Sequence, residues 1–133
     1  MKLYLDTSAM AKLVQQEPES DALRTYLRRH RTDLRVTSEL TRVELVRALW
    51  RGGPDAVSHA RRQLARLYQV AVDRSVLDRA AVLAPGTPLR SLDAIHLATA
   101  EAVGPDVRAV LTYDLRMRAA AAAAGLSVEG PSG

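Results

Sequence analysis

The sequence predicts an α/β fold in which a mainly parallel central sheet carries helices on both of its faces. Short apolar, β-prone segments alternate with helical segments along the chain, which is the pattern of repeated strand–helix units. The length of 133 residues is enough for one domain with a buried core. Hydrophobic residues make up 47% of the chain and charged residues 26%, which is ordinary for a globular protein and argues against disorder. We therefore expect a single domain over residues 1–133.

The first half of the chain is predicted to hold two strands and four helices. Lys2–Leu5 is short and apolar, and the next three residues, Asp6 to Ser8, are types favoured at helix N-caps. Pro18 and Pro54 favour helix starts, and the pair Gly52-Gly53 favours a helix end. The predicted elements after the first strand are helices over 9–16 and 19–31, a strand over 34–37, a helix over 39–51 capped by Ser38, and a helix from residue 54.

The second half is predicted to continue the alternation. Pro85, Gly86 and Pro88 stop a helix, and Ser91 and Asp114 are placed to cap the two helices that follow. The predicted elements are a third strand over 69–72, helices over 73–84 and 91–103, a strand over 107–112, a helix through the alanine run 119–124, and an edge strand over 126–129.

The composition restricts the chemistry that a site in this chain can use. There are no cysteines, so disulfides, iron–sulfur clusters, thiolate zinc sites and a cysteine nucleophile are excluded. Only three histidines are present. A metal site would therefore consist mainly of carboxylates, which favour hard cations such as Mg²⁺ or Mn²⁺.

The chain is basic, with a formal net charge of +4 and an isoelectric point near 10.0. The only lysines are Lys2 and Lys12, so 17 of the 19 basic residues are arginine. Arginine binds phosphate with a planar fork of donors, which favours an anionic partner. Codon composition explains the richness in arginine and alanine equally well. Since no signal peptide and no membrane span is found in the sequence, we expect a cytoplasmic protein with no membrane partner.

Four acidic residues are candidates for a catalytic or metal-binding site, although each also has a purely structural explanation. Asp6 and Asp114 follow predicted strands, and ligands of parallel sheets bind beyond the carboxyl ends of the strands; both are also ordinary N-cap residues. Asp93 lies in the first turn of a helix that is apolar nearly all round, where a buried carboxylate needs compensation; an exposed Asp93 would only favour the helix dipole. Glu44 shares a polar stripe with Arg47, so it is either a surface ion pair or a carboxylate held over a pocket.

The combination of the four acids favours a metal site. Carboxylates that converge in one cleft repel one another and stay ionised at neutral pH only when a cation neutralises them. A magnesium ion held by one or two carboxylates is suited to substrate phosphates. Such a site activates a water molecule and stabilises the leaving oxygen of an in-line displacement.

Four blocks of sequence surround these acids: YLDTSA at residues 4–9, TRVEL at 41–45, LRSLDAIHLATA at 89–100 and LTYD at 111–114. In this order and spacing they resemble the PIN-domain ribonucleases, and within them the VapC toxins of bacterial type II toxin–antitoxin systems. The third block is the most specific, and the resemblance covers residues 2–131.

The resemblance implies a PIN-domain-like fold and a Mg²⁺- or Mn²⁺-dependent endoribonuclease toxin. Its expected substrate is structured cellular RNA, either tRNA or rRNA, and its expected partners are an inhibitory VapB-type antitoxin and a second copy of the chain in a homodimer. The acidic quartet of the family falls without substitution on Asp6, Glu44, Asp93 and Asp114. Small polar residues of the family fall on Thr7 and Thr112.

These residues receive the following expected roles. Asp6 and Asp93 are the main metal ligands, direct or through water, and Glu44 and Asp114 complete the catalytic cluster. A metal-activated water then attacks the phosphorus of the RNA backbone.

Four arginines near the acidic motifs are candidates for binding RNA phosphates through contacts that weaken with salt. They are Arg47, Arg51, Arg90 and Arg116. The alternative is that they belong to an ordinary solvated surface.

His96 lies one helical turn after Asp93 and has two interpretations. It either takes part in metal binding or proton transfer, or it packs within a buried helix and forms local hydrogen bonds. The second interpretation is favoured because a histidine on such a helix more often packs within it. A metal-free ribonuclease is a separate possibility that would need a pair of catalytic histidines, and the three histidines of this chain lie in unrelated contexts.

Other functional classes fit less well. A receiver-like signalling domain needs a late lysine, and an aspartyl-nucleophile phosphatase needs an acid where Ser8 stands. A non-catalytic RNA-binding or scaffold protein remains the alternative, and it would bind RNA equally well in the presence of a chelator. The apolar residues of the first two helices, including Met10, Leu13 and Leu23, form either a groove for an antitoxin helix or core, with core favoured.

Overall fold

A computed structural model describes residues 1–133, and its central sheet contains five parallel strands in the order β3-β2-β1-β4-β5. The strands are β1 (Lys2–Leu5), β2 (Leu34–Ser38), β3 (Tyr68–Val70), β4 (Val107–Leu111) and β5 (Val128–Glu129). The helices are α1 (Thr7–Val14), α2 (Ser20–Arg29), α3 (Thr41–Leu49), α4 (Gly53–Leu64), α5 (Arg74–Val82), α6 (Ser91–Val103) and α7 (Leu115–Ala123), with a 3₁₀ turn at Trp50–Gly52.

Helices cover both faces of the sheet, as the sequence predicts. Residues of a strand alternate between the two faces, and in β1 the side chains of Leu3 and Leu5 pack with α1 to α4 while Tyr4 packs with α6 and α7. All three are fully buried. This is why the central strand reads as a continuous apolar run rather than as an alternating pattern. The predicted fold class is confirmed.

The apolar residues of α1 and α2 belong to the core. Met10 and Leu23 are fully buried, Leu13 is 6% exposed, and all three join the cluster on one face of the sheet. The core interpretation is therefore confirmed for these three residues.

Some boundaries and caps differ from the predictions. The helix expected over 39–51 ends at Leu49, because the chain tightens into the 3₁₀ turn and leaves it at Gly53 with a φ of 84°. Ser38 ends β2, and its hydroxyl accepts a hydrogen bond from the backbone N–H of Leu40. The N-cap of α6 is Arg90 rather than Ser91, and no side chain caps that helix.

The ends of the strands determine where a site can lie. All five strands run in the same direction, so their carboxyl ends share one edge, from which α1 and α7 begin. A membrane-spanning helix, which takes about 20 apolar residues, is not found in this fold.

Candidate active site

Asp6 stands between β1 and α1, where it serves as the N-cap of the helix. Its Oδ1 accepts hydrogen bonds from the backbone N–H of Ala9 at 3.0 Å and from the hydroxyl of Ser8 at 2.6 Å. Its Oδ2 accepts a hydrogen bond from the hydroxyl of Thr112 at 2.5 Å. Burial raises the pKa of Asp6, and these three donors offset part of the rise. The carboxylate is therefore rigidly held and only 5% exposed.

Glu44 projects from α3 and is held through one oxygen. Its Oε1 accepts hydrogen bonds from the hydroxyl of Thr7 at 2.7 Å and from Nε2 of His96 at 2.6 Å. Burial raises the pKa of Glu44, but the hydrogen bonds from His96 and Thr7 outweigh burial, so that the net pKa is lowered. The alternative of a surface Glu44–Arg47 ion pair is wrong, because Glu44 lies within ion-pair distance of no arginine and hydrogen-bonds His96 instead.

Asp93 lies in the first turn of α6 and is only partly compensated. Its Oδ2 is buried and has no hydrogen-bond partner in the protein. Burial, followed by the negative charge of Asp114, raises the pKa of Asp93. A carboxylate oxygen in this position is costly unless a cation or a donor outside the protein satisfies it.

Asp114 combines the two roles that the sequence leaves open. It caps α7 by accepting hydrogen bonds from the backbone N–H groups of Arg116 at 2.9 Å and Met117 at 3.3 Å. It is also close enough to Asp93 for its charge to act on that carboxyl group. Its own N–H donates to the hydroxyl of Thr112, which in turn donates to Asp6.

Hydrogen bonds and charges thus link the four acids at the carboxyl end of the sheet. Thr112 joins Asp6 to Asp114, and Asp114 acts on Asp93. The imidazole of His96 influences the pKa values of three of them, namely Asp6, Glu44 and Asp93.

The ligand atoms that the four acids offer suit a hard divalent cation. As the side chains stand, no three Asp, Glu or His residues are arranged to hold a metal ion together. The available ligands are nevertheless carboxylate oxygens, which suit Mg²⁺ and Mn²⁺. The partnerless Oδ2 of Asp93 and the raised pKa values of Asp6 and Asp93 mark two groups that a cation would stabilise. The assignment of Asp6 and Asp93 as ligands stays a prediction.

His96 is buried as its favoured interpretation predicts, but its hydrogen-bond partners differ from the prediction. It is 3% exposed, as expected for a buried helix, but its hydrogen bonds are not local: Nδ1 lies 2.7 Å from the hydroxyl of Tyr4, and Nε2 binds Glu44. The contact of Ser8 with Asp6 could have been predicted from the sequence, because the two residues are close together in the first motif. The contact of Tyr4 with His96 could not, because 92 residues separate them.

The four candidate arginines lie on the surface. Arg47, Arg51, Arg90 and Arg116 are all exposed. Of the four, only Arg90 affects the pKa of one of the acids: its backbone and its charge lower the pKa of Asp93. Exposure is compatible with binding to RNA phosphates but does not distinguish it from ordinary solvation.

A prominent concavity of the surface does not coincide with the acids. It has a volume of about 670 Å³ and is lined by residues of the 3₁₀ turn and α4, among them Trp50, Val57 and Arg61. None of the four acids lines it, so concave shape alone would have pointed away from the chemistry.

Comparison with known sequences identifies the family. The model of the PIN domain family matches residues 3–123. The chain is a PIN-domain protein. Ribonuclease VapC46 of Mycobacterium tuberculosis (strain ATCC 25618 / H37Rv) is 52% identical over 130 residues, covering 98% of each chain. Ribonuclease VapC35 of M. tuberculosis (strain CDC 1551 / Oshkosh) is 46% identical over 132 residues, covering 97% of this chain and 96% of the relative. This PIN domain therefore belongs with the VapC ribonucleases.

Solved structures agree on the fold. VapC20 of M. tuberculosis, described as a sarcin-ricin loop cleaving toxin, aligns with a TM-score of 0.72 at 21% identity, over 93% of this chain and 95% of that one. VapBC2 of Rickettsia felis, bound to a DNA fragment from its promoter, aligns with a TM-score of 0.76 at 15% identity, over 97% and 98%. At these identities the likeness shows a shared PIN fold.

Proposed function

We propose that this PIN-domain protein is a divalent-metal-dependent endoribonuclease and the toxin of a type II toxin–antitoxin system. The observation that supports the proposal is that hydrogen bonds and charge effects link four acids from distant segments, Asp6, Glu44, Asp93 and Asp114, near the carboxyl end of a parallel sheet. Close relatives named VapC ribonucleases support the reaction class.

The residues of the chain would have the following roles. A bound Mg²⁺ or Mn²⁺ supplies an activated water and stabilises the leaving oxygen of a phosphodiester. Asp6 and Asp93 would hold the ion, with Asp6 fixed in advance by Ser8 and Thr112. Thr7 holds Glu44 in its ionised form, so that its second oxygen is available to accept a proton or orient water.

The proposed substrate is structured RNA, of the tRNA or rRNA class. The net charge of +4 attracts the phosphate backbone, and the exposed Arg90 and Arg116, which lie close in sequence to Asp93 and Asp114, would contact phosphates beside the scissile bond. With one Trp and four Tyr in the chain, there is little aromatic surface for base stacking. Recognition of RNA shape therefore fits better than recognition of a long single strand.

The proposed protein partners are a cognate VapB-type antitoxin and a second copy of the chain, in the bacterial cytoplasm. Similar folds occur in a toxin–antitoxin complex from Klebsiella pneumoniae, with a TM-score of 0.65, and in FitAB bound to a DNA fragment, with a TM-score of 0.73. These neighbours support an antitoxin partner for a protein of this fold.

The test is to induce the chain alone in a bacterium and to map new RNA 5′ ends. We expect growth arrest with discrete new ends in one RNA class, and neither effect from the Asp93→Asn variant at equal expression. Growth arrest without new ends, or the same ends from the variant, would contradict the proposal.

Purified protein separates the enzyme from the alternative of a non-catalytic RNA-binding protein. Cleavage that stops in EDTA and returns with excess Mg²⁺ or Mn²⁺ identifies the enzyme. Chelator-insensitive RNA binding without any cleavage identifies the binding protein.

A further inference from the structure

We propose that Tyr4 and His96 form a positioning pair that fixes the carboxylate of Glu44 for catalysis. The inference rests on the proposed endoribonuclease function, and it adds two residues to the site. Neither residue would touch RNA, and both would act through Glu44.

The pair begins with a buried phenol. Tyr4 lies in the central strand β1 and is fully buried, and its hydroxyl lies 2.7 Å from Nδ1 of His96, with the two rings nearly perpendicular at 74°. A buried tyrosine hydroxyl needs a hydrogen-bond partner. Because a phenol has an ordinary pKa of about 10, this hydroxyl carries its proton at neutral pH and can donate it to Nδ1.

The hydrogen bond from Tyr4 determines which ring nitrogen of His96 carries the proton. In a neutral imidazole one nitrogen accepts and the other donates. When Nδ1 accepts from Tyr4, the proton is on Nε2, which donates to Oε1 of Glu44 at 2.6 Å. An ionised carboxylate can only accept. The chain of hydrogen bonds therefore has one direction, from the hydroxyl of Tyr4 through His96 to Glu44.

Both donors to Glu44 act on the same oxygen. Thr7 donates to Oε1 at 2.7 Å, alongside His96. The second oxygen, Oε2, accepts no hydrogen bond from the protein, and the side chain of Glu44 is 22% exposed. One oxygen is thus anchored while the other is left for water or substrate, which is the arrangement that a proton acceptor requires.

The burial of His96 shows that it acts indirectly. The residue is 3% exposed, and both of its ring nitrogens are engaged with Tyr4 and Glu44. A direct contact with RNA would require breaking one of these bonds. Buried partners that orient a catalytic carboxylate typically change activity by about 10- to 100-fold when they are removed, which sets the size of the expected effect.

The kinetic test uses three single variants and one double variant. Tyr4→Phe removes only the hydroxyl, and His96→Leu removes the hydrogen bonds of the imidazole with Tyr4, Glu44 and Thr7. We expect each to lower kcat by about 10- to 100-fold with KM unchanged. His96→Gln, whose amide can replace the Nε2–H donor, should recover part of the loss. Because Tyr4 acts through His96, Tyr4→Phe should cause no further loss of kcat in the His96→Leu background.

A spectroscopic readout reports the pair independently of activity. Long-range ¹H–¹⁵N correlation spectra distinguish the two neutral tautomers of histidine. With only three histidines, the His96 signals are assigned by their disappearance in His96→Gln. We expect the Nε2–H tautomer in the wild type and a mixture in Tyr4→Phe. His59→Gln is the matched control, since His59 lies in α4 and pairs with Gln63; it should change neither kcat nor the His96 signals.

Three outcomes would overturn the proposal. The first is the Nδ1–H tautomer in the wild type. The second is a wild-type kcat in both Tyr4→Phe and His96→Leu. The third is that Tyr4→Phe lowers kcat by the same factor in the His96→Leu variant as in the wild type. If the wild-type protein cleaves no RNA under any metal condition, the proposed function fails, and the spectra still decide whether Tyr4 fixes the tautomer of His96.

Discussion

The Nε2 atom of His96 lies 2.6 Å from Oε1 of Glu44, although 52 residues separate them in the chain. This bond connects α6 to α3 across the carboxyl end of the sheet. Together with the hydroxyl of Thr7, it lowers the pKa of Glu44 in spite of the burial that raises it. Glu44 is therefore ionised and oriented before any substrate arrives.

Replacing Glu44 tests its role as a held carboxylate. Glu44→Gln keeps an oxygen that can accept from Thr7 and His96, but it loses the charge that the lowered pKa of Glu44 shows to be favoured in the folded state, so we expect a modest fall in melting temperature at pH 7. The charge and the proton acceptor are lost, so cleavage should slow by about 100-fold or more. Single-turnover cleavage of the mapped RNA measures the effect. A rate within the error of the wild type would remove Glu44 from the catalytic cluster.

Asp93 is expected to reduce the stability of the metal-free protein at neutral pH. Its pKa is raised in the folded state, mainly by burial, so ionisation above the unfolded value of about 3.9 weakens the fold. Asp93→Asn should therefore raise the melting temperature in EDTA at pH 7, and the difference should shrink as the pH falls toward 4. Calorimetry over this range makes the comparison. A variant that melts below the wild type at pH 7 would contradict the prediction.

Asp33 forms a structural ion pair away from the four acids. Its ionisation is expected to stabilise the fold, whereas that of Asp93 is expected to weaken it. Arg108 donates to both of its oxygens, at 2.5 and 3.3 Å, and lowers its pKa. A lowered pKa stabilises the fold above the unfolded value of about 3.9, and this stabilisation disappears as the pH falls through the folded pKa. Asp33→Asn should lower the melting temperature by a few degrees at pH 7 and leave kcat unchanged. A fall in kcat at a temperature where the variant is fully folded would show a functional role.

The arginines beside the acids are expected to determine RNA affinity and its dependence on salt. Arg90→Gln combined with Arg116→Gln should raise KM and reduce the slope of log K against log salt by about 0.7 per lost phosphate contact. Arg28→Gln combined with Arg29→Gln is the matched control, since it removes the same two charges from exposed positions on α2. If the control weakens binding as much as the double variant, the effect is one of net charge and not of position.

The fold and the helix caps at two of the candidate acids could be predicted from the sequence, because they depend on local patterns. The apolar run of β1 and the N-caps at Asp6 and Asp114 are visible within a few residues, and the structure confirms these caps. The partners of His96 are different. They depend on the packing of α6 beside β1 and on the reach of a side chain from α3, and neither has a signature in the sequence.

Local reasoning was wrong where a helix boundary moved. The helix predicted over 39–51 includes Trp50. Because α3 ends at Leu49, Trp50 falls in the 3₁₀ turn and is 67% exposed. A shift of two residues at the end of a helix thus places Trp50 in an exposed turn, where it lines a surface concavity.

The most direct test of the account is to locate Mn²⁺ in crystals of the wild-type protein by anomalous diffraction. The account predicts a peak at the carboxyl end of the sheet, in contact with Asp6 and Asp93, and no such peak in Asp93→Asn crystals soaked in the same way. No peak at that position in crystals of protein that cleaves RNA with Mn²⁺, or a peak that contacts neither carboxylate, would contradict it.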